Sequence, residues 1–237
     1  KHNYFMKIRI SLFSLGLLLF STIALQAQKK VAVVSFFCDK YIGTDQLDGG
    51  ASVIGLVAKL SDNPDFNLSP ALEDFHQTFF NEYSSQFTFQ LEDEETVKNN
   101  EKYKAFTSDF KGLNIMGSGD PDQRFETIDG YKRFFELFSL KKKDIAAEVL
   151  EFFPDVDGIM FVYLDYEFLP KVAVGGMGTA GIKAYVNMRM YNREGKKVFN
   201  IREGGTSKNS VAMVRGIPIM KPAEITPLCL NATEKLV

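Results

Sequence analysis

The sequence contains few of the residues that build most catalytic and metal centres. It has no Trp, two Cys and two His among 237 residues, and only His76 lies beyond the N-terminal stretch. One His cannot supply a His-rich metal site, and its sequence context gives no sign of the oriented base of a catalytic triad. We therefore expect His76 to be a satisfied surface or half-buried residue. The sequence predicts a non-enzymatic protein with no catalytic, metal-binding or cofactor-binding residues.

The two cysteines, Cys38 and Cys229, limit covalent cross-linking within the chain to one bridge. An oxidising compartment allows that disulfide but does not require it. Cys38 ends an apolar run and Cys229 lies in a predicted helix. Both therefore also suit buried thiols that pack as small hydrophobic side chains, and the sequence leaves the two interpretations open.

Long apolar runs are also scarce, and the one that is present lies at the start of the chain. Lys7 and Arg9 precede the apolar stretch 10–23, and small residues surround a cleavage point after Ala27. This pattern is typical of a secretory signal peptide, so we predict that residues 1–27, with a short upstream extension, are removed. Gln28 stands where a lipoprotein would carry its lipid-attachment Cys. The mature chain is therefore predicted to be periplasmic or secreted and not lipid-anchored. The cleavage site is similar to those of exported Bacteroidetes proteins.

The mature chain is predicted to be mildly acidic. Without Lys1, Lys7 and Arg9, 25 of the 28 basic residues remain against 30 acidic ones, a net charge of −5. This charge and the export signal argue against a nucleic-acid partner. The length of 28–237 fits a single domain, with segments near 41–67 and 112–131 as insertions.

The order of predicted elements indicates an α/β fold. Residues 30–38 are a continuous apolar run typical of a strand buried on both faces. Ser69 and Pro70 are predicted to begin an amphipathic helix, with Ser69 as its N-cap. The other predicted elements are strands at 87–91, 157–169, 182–191 and 197–201, and helices at 92–110, 131–140, 141–153 and 223–237. We predict a mixed, partly antiparallel sheet flanked by helices, with a C-terminal β-hairpin followed by a helix.

Two short motifs have simple structural explanations. Residues 176–181 match G-x-G-x-x-G, but an alternating strand pattern follows where a dinucleotide site needs a helix. The segment is predicted to be a Gly-rich connection between strands, or an apolar loop that contacts a membrane or a partner. The residues of that loop are Val174, Gly175, Gly176, Met177 and Gly178. The acidic run 92–95 lacks the ligand spacing of a calcium loop and suits the first turn of a helix.

Four segments resemble a known family of envelope proteins. They are KKVAVVSFF, FTFQLEDEETV, KDIAAEVLEFFPDVDGIMFVYLDYEF and AYVNMRMYNREGKKVFNIREGGTS. Together they are similar to the domain shared by CsgG, LpoB, PelC and the N-terminal domain of TolB. The resemblance covers most of 30–207 and implies an α/β domain that works in bacterial envelope assembly without catalytic residues. The missing lipobox Cys and the two insertions depart from the lipid-anchored and pore-forming members.

These observations favour an exported, non-enzymatic module of the cell envelope that acts through protein–protein contacts. This hypothesis allows the chain to form homo-oligomers and to make peripheral contact with a membrane. One alternative is a periplasmic or secreted ligand-binding protein or hydrolase whose site is scattered in sequence. A second alternative is an oligomeric secretion-pore subunit. A deep pocket with convergent polar groups would favour the ligand-binding protein or hydrolase. An exposed apolar patch would favour the interaction module.

Overall fold

The computed structural model describes residues 29–47, 50–107, 121–134, 145–175 and 177–236. The predicted signal peptide and part of each predicted insertion lie outside these ranges. The strands are β1 Lys30–Gly43, β2 Gln90–Leu91, β3 Phe125–Thr127, β4 Gly158–Val174, β5 Met177–Asn192, β6 Lys197–Thr206, β7 Val211–Val214 and β8 Ile217–Pro218. The helices are α1 Gly50–Ser61, α2 Ser69–Asn81, α3 Glu94–Lys98, α4 Glu101–Ala105, α5 Pro121–Arg124, α6 Ile145–Leu150 and α7 Pro222–Thr233, with 3₁₀ turns at Tyr83–Gln86 and Glu234–Leu236.

All eight strands belong to one mixed sheet. Its order is β2-β1-β4-β5-β7-β8, with β3 also beside β1 and β6 also beside β5. β1 runs parallel to β2 and β4, whereas the other pairs are antiparallel. The β5–β6 hairpin lies near the C-terminus, and α7 follows the last strand. The predicted fold class, a mixed sheet with flanking helices, is confirmed.

Both faces of the central strands are buried, and each carries an apolar core. The larger core lies between the sheet and helices α1, α2 and α7, and it is rich in phenylalanine. Phe36 of β1 packs there against Phe75 and Phe79 of α2, with ring centroids 5.9 and 5.5 Å away. The smaller core on the opposite face includes Tyr103 and Phe161. Residues 31–38 of β1 are therefore all buried, as the continuous apolar run predicts.

A buried tyrosine completes an irregularity in β1. The pairing of β1 with β4 shifts register between Val33 and Ser35, so the carbonyl of Val34 falls at the shift. The hydroxyl of Tyr103 donates to that carbonyl over 2.6 Å and accepts from the backbone N–H of Lys132 over 2.8 Å. Burial raises the pKa of Tyr103, which keeps its hydroxyl a neutral donor. One side chain thus joins α4, β1 and the segment after β3.

The N-terminus of α2 is capped differently from the prediction. Leu68, not Ser69, occupies the N-cap position, and it makes no side-chain capping bond. The Ser69 hydroxyl instead donates to the carboxylate of Glu126 in β3, which also accepts from the Leu68 N–H over 3.0 Å. A carboxylate from a distant part of the chain therefore accepts the hydrogen bonds at the start of α2, where Ser69 was predicted to act as the cap.

Several predicted boundaries were also wrong. Within 92–107, the described part of the predicted helix 92–110, there are two short helices, because the Asn100 side chain accepts from the Tyr103 N–H and caps α4 at 3.0 Å. The predicted strand 87–91 is reduced to Gln90–Leu91, since a 3₁₀ turn and a bend precede it. Part of the predicted insertion 41–67 is regular structure, since β1 continues to Gly43 and α1 has 12 residues. Residues 131–134 are not helical.

Candidate functional site

The most exposed apolar surface lies where the β4–β5 hairpin turns. Val174, Met177, Val214 and Ile217 are paired in one row across β4, β5, β7 and β8, so their side chains share a face of the sheet. Val174 is 76% exposed, Met177 66% and Val214 51%. Val172, 59% exposed, precedes Val174 by two residues and shares that face. We call these five residues the apolar tip.

The apolar tip contains part of the contact loop that the sequence predicts. Val174 and Met177 are exposed on it, and Gly175, with φ of 58°, makes the turn between them. Gly178 pairs with Met213 one position further along, and Gly176 lies outside the described residues. Residues 177–181 are already part of strand β5, so the predicted Gly-rich connection over 176–181 was wrong there, whereas the strand predicted to follow the motif is confirmed. Contact of this loop with a partner stays a prediction.

Sequence reasoning missed the other half of the apolar tip. Val214 and Ile217 come from a second tight turn, in which Arg215 and Gly216 both have positive φ, 54° and 75°. Such a pair of left-handed residues is typical of a type I′ hairpin turn. Only the pairing of β5 with β7 brings this turn beside the first one, and no local sequence pattern signals that pairing.

Basic residues lie at the end of the sheet that carries the apolar tip. The segments 169–182 and 207–223 contain four basic residues and no acidic one, in a chain of net charge −2, although Lys221 pairs with the following Glu224 over 3.7 Å. These basic residues are Lys171, Lys208, Arg215 and Lys221. The Lys171 ammonium donates to the carbonyls of Ser207, Lys208 and Asn209 over 2.7, 2.7 and 2.9 Å. It therefore fixes the loop before β7 against the end of β4.

Strand β6 forms a second candidate surface. It pairs with β5 on one side, and within the described part of the chain no strand pairs with its other side. Phe199 and Ile201 pack towards the larger core, whereas Val198 is 48% exposed. At Gly205 a Cβ atom would lie 2.4 Å from the Ala232 carbonyl, so α7 packs closely on the face of the sheet at that end of β6. We call residues 197–203, before this contact, the open edge.

His76 belongs to a half-buried polar cluster on α2 and α3. Its Nε2 lies 2.8 Å from Glu94 Oε1, which also accepts from the Tyr131 hydroxyl at 2.8 Å and pairs with Lys98 at 3.2 Å. Burial alone would raise the pKa of Glu94. The His76 and Tyr131 hydrogen bonds and the His76 and Lys98 charges outweigh burial and lower that pKa to about 2. His76 is therefore a satisfied, half-buried residue, as the sequence predicts.

The acidic run around Glu94 forms the start of a helix. Asp93 caps α3 by accepting from the Thr96 N–H over 2.9 Å, and Glu94 and Glu95 occupy the first turn. This agrees with the interpretation of the run as a helix start. Within the described ranges no three His, Cys, Asp or Glu side chains are grouped so that they could hold a metal ion.

Two buried carboxylates on the sheet are each paired. Asp39 of β1 accepts two hydrogen bonds from Arg124, over 2.7 and 2.5 Å. Asp165 of β4 accepts from Asn187 over 2.8 Å and pairs with Arg202 over 3.4 Å. Burial raises the pKa of both carboxyl groups, and the arginines oppose that shift. These contacts explain both carboxylates as structural pairs.

Both cysteines are free and fully buried in the structure. Burial raises the pKa of Cys38 and of Cys229 above the ordinary thiol range, so neither is an activated nucleophile. Tyr166 is buried beside them, and its hydroxyl is hydrogen-bonded to Thr233 Oγ1 at 2.9 Å. The structure thus shows the thiol form, and the disulfide that the sequence allows stays a prediction.

Two grooves lie beside the segment 86–91. One, of about 490 Å³, includes Ser84 and Glu94. The other, of about 630 Å³, is lined by the aromatic rings of Phe87, Phe89 and Phe199. Four charged residues also line this groove: Lys29, Asp157, Arg193 and Glu194. Arg193 donates to the carbonyls of residues 150, 153 and 154, and Asp157 accepts from the Lys30 N–H. The groove thus combines aromatic surface with charged groups, two of which are bonded within the protein.

Comparisons with known proteins leave the family open. No protein-family model matches the chain, and no curated protein matches it. Among solved structures, the hypothetical protein CT253 from Chlamydia trachomatis is similar over 76% of this chain and 73% of its own, at 9% identity and a TM-score of 0.34. None of the helices in the described residues has the length and apolar content needed to span a membrane.

Proposed function

We propose that this chain is an exported, non-enzymatic interaction module of a bacterial cell envelope. The observation that carries the proposal is the open edge of β6, residues 197–203. Its unpaired backbone donors and acceptors are a template on which a strand from another protein can pair. The signal-peptide pattern and the resemblance to the CsgG, LpoB, PelC and TolB domain support an envelope location and an assembly role.

The side chains on this edge suit recognition of a partner strand. Val198 and Arg202 are exposed, and Arg202 stacks 3.7 Å from the centroid of the Tyr185 ring. An added strand would place its own side chains beside these, because paired strands lie about 4.8 Å apart. Main-chain hydrogen bonds would then supply affinity, and contacts with Val198 and Arg202 would supply selectivity.

Site-specific photocrosslinking of the exported, tagged protein tests this proposal. A crosslinker at Val198 is compared with one at Glu101 on α4, whose side chain is 91% exposed and distant from the edge. We expect discrete envelope adducts from position 198 and none from position 101. A clean monomer at both positions would overturn the proposal.

The aromatic groove beside Phe87 and Phe89 favours ligand binding as a second candidate function. The volume of about 630 Å³ lies within the range of small-molecule sites. The rings of Phe87, Phe89 and Phe199 suit an aromatic ligand, and Lys29 and Glu194 in the same lining could meet a polar group on it. Replacing Phe199, whose ring is edge-on to Phe87 at 6.3 Å, with Ala should abolish binding of such ligands in a thermal-shift screen.

A further inference from the structure

We propose that the apolar tip docks on a lipid bilayer rich in anionic lipid and enters its headgroup region. The proposal rests on the tip alone and does not depend on a partner at β6. Val172, Val174, Met177 and Val214 point to solvent from one face of the sheet at its far end. A group of exposed large apolar side chains with a polar surround is typical of a membrane or protein contact.

The backbone at the tip suits the headgroup region and not the hydrocarbon core. At the tip, β5 and β7 are paired on both sides, whereas β4 beyond Glu167 and β8 each have one side without a described partner strand. Unpaired N–H and C=O groups are costly in hydrocarbon, but water in the headgroup region can satisfy them. The tip is therefore suited to shallow contact.

The charge around the tip selects the occupant. Arg215 lies in the turn of the tip itself, and Lys171 and Lys208 lie further along the same end of the sheet, whereas the fourth basic residue there, Lys221, pairs with Glu224. Each basic residue near an anionic membrane surface raises partitioning about fivefold. Two copies meeting tip to tip would instead bring like charges together. The combination of apolar centre and basic rim therefore fits a negatively charged bilayer better than a second copy of this chain.

The tip is also held ready to dock. Lys171 bonds the three carbonyls of residues 207–209 and ties the loop before β7 to β4. The two hairpin turns are consequently fixed side by side before any contact with lipid. Little conformational freedom is lost on docking, which favours binding.

Vesicle flotation of the mature chain tests the proposal. The probes are vesicles of phosphatidylcholine alone and of phosphatidylcholine mixed with phosphatidylglycerol. We expect binding to the mixed vesicles only, weakened by salt. The double variant Val174→Ser, Met177→Ser should reduce binding roughly tenfold or more, because it removes two exposed apolar side chains. Arg215→Asn should reduce it about fivefold, since Asn tolerates the left-handed backbone and carries no charge.

Ile54→Ser is the matched control, because it changes an apolar side chain on α1 that is 40% exposed and lies in neither candidate surface, and it should leave flotation unchanged. Circular dichroism of each variant checks that the fold is retained. Failure of the wild-type chain to float with mixed vesicles would overturn the proposal, as would equal losses in the tip and control variants. A dimer on gel filtration that the tip variant dissociates would assign the tip to a second copy instead. None of these results bears on crosslinking at β6.

Discussion

Replacing Tyr103 with Phe should destabilise the chain far more than the loss of one oxygen atom suggests. The change leaves the fully buried Val34 carbonyl without its 2.6 Å donor and the Lys132 N–H without its 2.8 Å acceptor. A buried, unsatisfied carbonyl costs about 1–3 kcal/mol, and the half-buried N–H, which can reach water, about 0.5–1.5 kcal/mol. We expect the free energy of unfolding to fall by about 2–4 kcal/mol.

Urea denaturation followed by circular dichroism measures this loss. With an m value of about 2–3 kcal/mol/M, the midpoint should fall by about 1 M at unchanged slope. Tyr185→Phe is the matched control, because its hydroxyl donates to Glu167 over 3.0 Å on a partly exposed face. The control should cost less than about 1 kcal/mol. Equal costs for the two variants would refute the assignment of Tyr103 as the group that completes the β1 irregularity.

Two further predictions concern titratable groups. The folded pKa of Glu94, about 2, lies below its ordinary value of 4.5, so its stabilisation is complete above pH 4.5 and is lost as pH falls towards 2. Because Glu94 is partly exposed, we expect Glu94→Gln to lower the free energy of unfolding by about 1–2 kcal/mol at pH 7 and by much less near pH 2. Urea titrations at the two pH values measure this difference. A loss that does not change with pH would contradict the prediction. The buried thiols of Cys38 and Cys229 should react with Ellman's reagent only after denaturation, two per chain, whereas none after denaturation would reveal a bridge.

Local patterns predicted the central strands well, because a strand that is buried on both faces consists mainly of apolar residues. Residues 30–38 and the alternation at 182–191 gave β1 and β5, and their turn chemistry gave the β5–β6 hairpin. The cap of α2 could not be predicted, since Glu126 reaches it from 57 residues away in sequence. The break at Asn100 depends on bonds to Tyr103 and to the distant Phe152 carbonyl, which a helix-propensity argument does not contain.

The candidate surfaces were likewise predicted only where a local sequence pattern indicates them. Val174 and Met177 were predicted from an apolar, Gly-rich loop that lacked a following helix. Val214 and the positive rim were missed, because they join the tip only through the pairing of β5 with β7. The His76 cluster was predicted only as a satisfied side chain, and its partners Glu94 and Tyr131 come from separate elements. Pairings between distant segments, rather than local periodicity, therefore set most of the functional surface.

The open sides of two long strands have a consequence for stoichiometry. Among the described strands, β6 is open at residues 197–203, and β4 is open from Phe168 to Val174, because its pairing with β1 ends at Glu167. Pairing of β6 with β6 of a second copy would be isologous and would end as a pair. Pairing of β6 with the open side of β4 would leave one edge free at each end, and such an assembly could grow.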